Sequence, residues 1–161
     1  MSGHPALETL RRATNAYRLG QAREALALAE AAYRIVTEIP GAPPQVGTIS
    51  SFYGLLLGTV GRRPEEGLSL CREAAGRNFW EPEVYEHMAR LQMSLGERRA
   101  ALETVERGLA LSPEDRGLLE FRQALGVRRS PPVPFLDRSH PVNRWMGMWR
   151  ARTTGAHEKR P

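Results

Sequence analysis

Residues 82–113 read PEVYEHMARLQMSLGERRAALETVERGLALSP, and two helices with a turn between them are legible in that stretch. Tyr85, Met88, Ala89 and Met93 recur at helical spacing on one face, and Gly96 marks the end of that helix. Ala101, Val105, Gly108 and Leu109 repeat the pattern before Ser112 and Pro113 stop the second helix. Two amphipathic helices of this length cannot bury their shared face alone, so the hairpin implies stacked neighbours.

The same frame recurs twice upstream. Gly20 and Gly61 stand where Gly96 stands, at spacings of 41 and 35 residues, and the longer interval contains the loop GAPPQVG at residues 41–47. In the first copy Ala13, Ala25, Ala29 and Ala32 supply small residues around Tyr17 and Leu28. In the second, Gly54 matches Ala89, while Gly67 and Ala74 match Ala101 and Gly108 if Pro64 is one extra residue in the turn. Helices are expected over 5–19, 22–38, 48–60 and 65–77, then the two of the quoted hairpin, then 114–126 as a seventh that covers the last hairpin. Residues 48–60 are weak by propensity but dense in Phe52, Tyr53, Leu55, Leu56 and Leu57, so packing must hold them. The aromatics of Asn78-Phe79-Trp80-Glu81-Pro82 are expected to pack between hairpins.

Ala89, Gly96, Ala101, Gly108 and Pro113 make this unit resemble the tetratricopeptide repeat, a helix-turn-helix of about 34 residues. Tyr85 and Gln92 depart from that pattern at two packing points, where the family usually has Trp and another aromatic. The resemblance implies an all-α fold, a tetratricopeptide-type superhelix of three hairpins plus a capping helix over residues 1–126. It also implies a ligand groove lined by the first helix of each hairpin. Carried over position by position, the groove residues are Leu10, Thr14, Tyr17 and Arg18, then Ser51, Phe52, Leu55 and Thr59, then Glu83, Glu86, His87, Arg90 and Ser94. Phe52 and Leu55 are the expected apolar anchors, with Arg18, His87 and Arg90 as polar readers. Some members clamp a terminal carboxylate with Lys and Asn, but Leu10 and Thr14 occupy two of those positions, so that specificity is not implied.

Composition limits the classes. A chain of 161 residues supports one core of ordinary size, and no apolar run approaches the roughly 20 residues of a membrane span. MSGHPALETL has no charged region followed by an apolar one, so a cytoplasmic location is expected. Cys71 lies between Leu68 and Ala75 on an apolar face and reads as a small buried hydrophobe. Residues 1–115 hold 13 Lys and Arg against 15 Asp and Glu, whereas residues 116–161 hold 10 against 3, so the basic character is C-terminal.

Residues 127–161 change in character. Pro131, Pro132 and Pro134 favour an extended polyproline-like segment, and Arg128, Pro131 and Pro134 fit R-x-x-P-x-x-P, a short match for which a stiff linker is the plainer reading. A short helix follows, with Ser139 as cap and Val142, Trp145, Met146 and Trp149 on one side. Such a helix needs a surface to lie on, with Phe135 and Leu136 joining in. The repeats themselves, a partner protein or an anionic membrane would each serve. The run from Pro134 to Asn143 resembles the endings of bacterial tetratricopeptide proteins.

Catalytic and cofactor signatures are missing from the sequence. No phosphate-cradling glycine loop or G-x-G-x-x-G is found, and His4, His87, His140 and His157 have no second ligand at metal spacing. Glu65-Glu66 and Glu114-Asp115 sit where helices begin, which points to capping rather than acid-base work. The expectation is a non-enzymatic adaptor that needs no cofactor or metal and binds a protein or peptide in its groove, with the tail docking on the repeats. The alternatives are nucleic-acid or anionic-surface binding through the basic tail, or a small secretion chaperone; homo-oligomerisation is open in each.

Overall fold

The computed structural model describes residues 4–126 apart from Ile39 and Ala42. The expectations for Phe135, Leu136, Val142, Trp145 and Trp149 lie outside the described residues. Among the described residues the fold is all-α, with seven helices in chain order: α1 Pro5–Arg18, α2 Ala22–Glu38, α3 Val46–Thr59, α4 Pro64–Arg77, α5 Pro82–Ser94, α6 Arg98–Leu111 and α7 Arg116–Ala124. The first six pair as the hairpins α1–α2, α3–α4 and α5–α6, and α7 packs on α5 and α6. Successive hairpins meet through α2 on α3, α3 on α5 and α4 on α5. No helix among the described residues is long and apolar enough to cross a membrane.

Proline starts three of these helices. Pro5, Pro64 and Pro82 each take the first helical turn, where the missing N–H costs nothing. The first and third hairpin turns are the same structure. Gly20 at φ +75° and Gly96 at φ +79° adopt the left-handed conformation. In both, the glycine N–H donates three residues back, to Tyr17 O and Met93 O, and the next N–H donates five back, to Ala16 O and Gln92 O. This is the paired closure that satisfies the last carbonyls of a helix. The second turn differs. Its left-handed residue is Arg62 at φ 56°, one position beyond Gly61, and Arg63 N–H reaches back to Leu57 O at 3.1 Å. The extra residue expected near Pro64 is thus taken up before that proline, which is already helical.

Every small residue assigned to a helix approach is buried, including Ala13, Ala25, Ala29, Ala32, Gly54, Gly67, Ala74, Ala89, Ala101 and Gly108. At Gly54 the reason is backbone contact, since a Cβ there would lie 2.7 Å from the carbonyl oxygen of Gly67 on α4. One core runs from Ala16 and Ala29 through Phe52, Leu55, Leu56 and Cys71 to Met88 and Leu91. A second joins Tyr85, Ala89, Val105 and Leu109 to Leu118 and Leu125, which is how α7 covers the last hairpin. Asp115 caps α7 by accepting from Leu118 N at 2.9 Å.

The linker aromatics do not pack between hairpins. Phe79 and Trp80 remain 53% and 57% exposed and meet only edge to face at 5.3 Å. The linker residue that joins the hairpins is Glu81, which is buried. Its carboxylate accepts from Gly47 N at 3.2 Å, Thr48 N at 2.6 Å and the Thr48 hydroxyl at 2.7 Å. Gln45, which precedes α3, offers no side-chain cap, so the cap comes from 33 and 34 residues further along the chain.

Candidate functional site

The nine residues singled out for partner contact lie on α1, α3 and α5, and the structure divides them into three groups. The first is packing. Ser51, Phe52 and Leu55 on α3 are 0%, 4% and 2% exposed, so they present almost no surface of their own. Phe52 stands at the centre of a row of rings. Tyr17 on α1 meets it edge to face at 5.9 Å, and the His87 ring on α5 lies 5.2 Å away on its other side.

His87 is fixed by Ser51, whose Oγ lies 2.9 Å from His87 Nδ1 while also bonding Thr48 O at 3.2 Å. Burial against α3, with the Arg90 charge as a lesser cause, pushes the imidazole down from its ordinary 6.5 to about 3. The ring is therefore neutral near pH 7. Ser51 and His87 have the contact of a nucleophile and base, but the serine is fully buried and the imidazole is held too weakly basic to activate it.

The second group serves α7. The Glu86 carboxylate receives both Arg90 Nε at 2.9 Å and Arg90 Nη2 at 2.6 Å, and the Arg90 guanidinium sits 5.4 Å from the centre of the Phe121 ring. A Cβ on Gly117 of α7 would meet the same Glu86 carboxylate. Glu86 and Arg90 thus hold the last helix in place. Nothing in the repeat pattern signals this, because Phe121 is an ordinary apolar position of its own helix.

The third group is open. Thr14, Tyr17 and Arg18 lie on α1, where Tyr17 is 41% exposed and the Thr14 hydroxyl is turned back to Leu10 O at 3.0 Å. A recess of about 620 Å³ borders this helix, lined by Leu7, Leu10, Arg11, Arg12, Thr14, Asn15 and Arg18. Arg11 is held by Glu8 at 2.8 Å, whereas Arg12 and Arg18 form no ion pair among the described residues. Leu10, Thr14 and Arg18 were legible as groove residues; Leu7, Arg11, Arg12 and Asn15 were not, since they belong to the neighbouring stripe of the same helix.

Among the described residues no group of three or more His, Cys, Asp or Glu side chains converges to hold a metal. Cys71 donates to Ser51 O at 3.5 Å, and burial pushes its thiol up to about 12. It is a packing residue. Compared with known proteins, the sequence matches no family model, and no curated protein matches it significantly.

Proposed function

We propose that the chain is a non-enzymatic adaptor of tetratricopeptide type that binds a protein or peptide on the inner face of its helical hairpins, with α1 carrying the contact. The observation behind this reading is the recess on α1. It combines apolar Leu7 and Leu10 with Arg12 and Arg18, two cations that form no ion pair among the described residues, beside the half-exposed ring of Tyr17. Interfaces draw their binding energy from a few residues of this kind, with Tyr and Arg prominent among them. Further along, Ser51, Phe52, Leu55, Glu86 and Arg90 of α3 and α5 are spent on packing and on α7, which leaves Thr59, Glu83 and Ser94 as the other exposed side chains of those helices.

A photo-crosslinking amino acid placed at residue 18 tests the proposal in cells that produce the protein. Adducts of defined mass are expected from position 18 and not from position 107, on the outer helix α6. Adducts from 107 alone would move the contact to the opposite face and overturn the assignment.

A further inference from the structure

A second groove lies on the opposite side of the hairpins. No Cα of α2 comes within 8 Å of one in α4. The gap between these helices is floored by α3, whose Val46, Ser50, Tyr53 and Leu57 share one stripe of the helix. Two recesses of about 330 Å³ and 280 Å³ lie along it and share Leu70. Between them Tyr33 of α2 stacks on Tyr53 of α3 at 5.1 Å. The floor from 46 to 57 is about 16 Å long at helical rise, or three turns.

The next hairpin shows that this opening is particular to α3. Thirty-five residues on, Glu81, Tyr85, Gln92 and Met88 take the same stripe of α5, and all four are buried. There Thr104 of α6 donates to Gln92 at 2.8 Å and closes the surface. The matching pair, Leu57 and Leu70, has no hydrogen-bonding side chain and borders a recess. Val46, Ser50 and Tyr53 are left only half-buried.

The rims of the trough carry Glu30, Glu66 and Glu73 against Arg63 and Arg77, one acid in excess. Glu30 stands on the α2 side outside any ion pair among the described residues. Glu66 first and Glu30 after it raise the pKa of Arg63, and burial first and then Glu30 raise that of Tyr53. On the α4 side Glu66 and Glu73 are held only by exposed pairs to Arg63 and Arg77, the second at 3.0 Å. Exposed pairs of this kind contribute about 0–1 kcal/mol and exchange partners readily. A tyrosine floor adds a favourable face for a guanidinium or ammonium group.

We propose that this trough is a second docking surface, which receives a basic amphipathic helix of about three turns from a partner protein. Its apolar stripe lies on Tyr33, Tyr53, Val36 and Leu70, and its cations reach Glu30 on one rim and Glu66 and Glu73 on the other.

The test uses the full-length protein and a fluorescent 14-residue peptide of leucine and lysine, with the leucines at i, i+3, i+4, i+7 and i+11. Its control has the same composition in an order with no apolar face. Anisotropy titration is expected to show the patterned peptide binding at least tenfold more tightly than the control. The double variant Glu30→Lys/Glu73→Lys is expected to weaken it about tenfold. The charge-matched double variant Glu103→Lys/Glu120→Lys, on α6 and α7, and Arg18→Glu, on α1, are expected to leave it within twofold. All four acidic positions are exposed, and circular dichroism of each variant checks that the helices are intact. Equal binding of the two peptides, equal loss in both double variants, or loss in Arg18→Glu would each overturn the proposal.

Discussion

Three side chains show how little of the joining chemistry is local. Glu81 gives its carboxylate to α3 from the far side of a hairpin. Removing it leaves buried amides unpaired, so Glu81→Ala should cost about 2–3 kcal/mol in urea denaturation. The neighbouring Glu83 is exposed, and Glu83→Ala should stay within about 0.5 kcal/mol. His87 predicts a pH dependence. Its folded pKa, about 3, lies below the ordinary 6.5, so the unfolded chain takes up the proton first. Its contribution to stability is present above 6.5 and is lost as the pH falls from there towards 3. Denaturation midpoints from pH 7 to pH 4 should therefore fall more steeply for the wild type than for His87→Asn, and equal slopes would assign the loss to other groups. Cys71 is protonated well above neutral pH. At pH 8 it should react with a thiol reagent at least a hundredfold more slowly in the folded protein than in urea.

Among the elements, the helices were legible from their periodicity, and most ends fell within two residues of the expected ones. Gly20 and Gly96 were readable because a left-handed turn leaves a glycine in the sequence. Arg62 was not, since a non-glycine residue carries that conformation while Gly61 one position earlier looks like the turn. Phe79 and Trp80 misled for a related reason. Their apolar character predicts burial, yet the linker is held by Glu81, whose partner lies more than thirty residues upstream and leaves only a faint sign: α3 starts with Gln45-Val46-Gly47 and has no cap of its own. Two glycines separate close approach from mere permissiveness. Gly54→Ala forces a Cβ against the Gly67 carbonyl and should destabilise by about 2 kcal/mol or more. Gly76 lies near the end of α4 with nothing within 4 Å of an added Cβ, so Gly76→Ala should stabilise by up to about 1 kcal/mol. Thermal denaturation of the two variants side by side checks both signs.

At the scale of the molecule, the sequence carried the all-α architecture of the described residues and the pairing of their helices, because small and large residues recur in phase across three hairpins. It carried the expected groove residues less well. A repeat pattern places Ser51, Phe52, Leu55, Glu86 and Arg90 on a lining surface but does not reveal that their neighbours already use them. That depends on Tyr17, His87 and Phe121, which come from other helices. Among the described residues, the exposed tyrosine of this set, Tyr17, and its arginine outside any ion pair, Arg18, lie on α1, and the account rests on it. The most direct test is quantitative affinity capture from the producing cells with the wild type and with Tyr17→Ala/Arg18→Glu, both confirmed folded by circular dichroism. The account predicts at least one protein that the wild type retains and the variant loses. Recovery of the same proteins in the same amounts by both would contradict it.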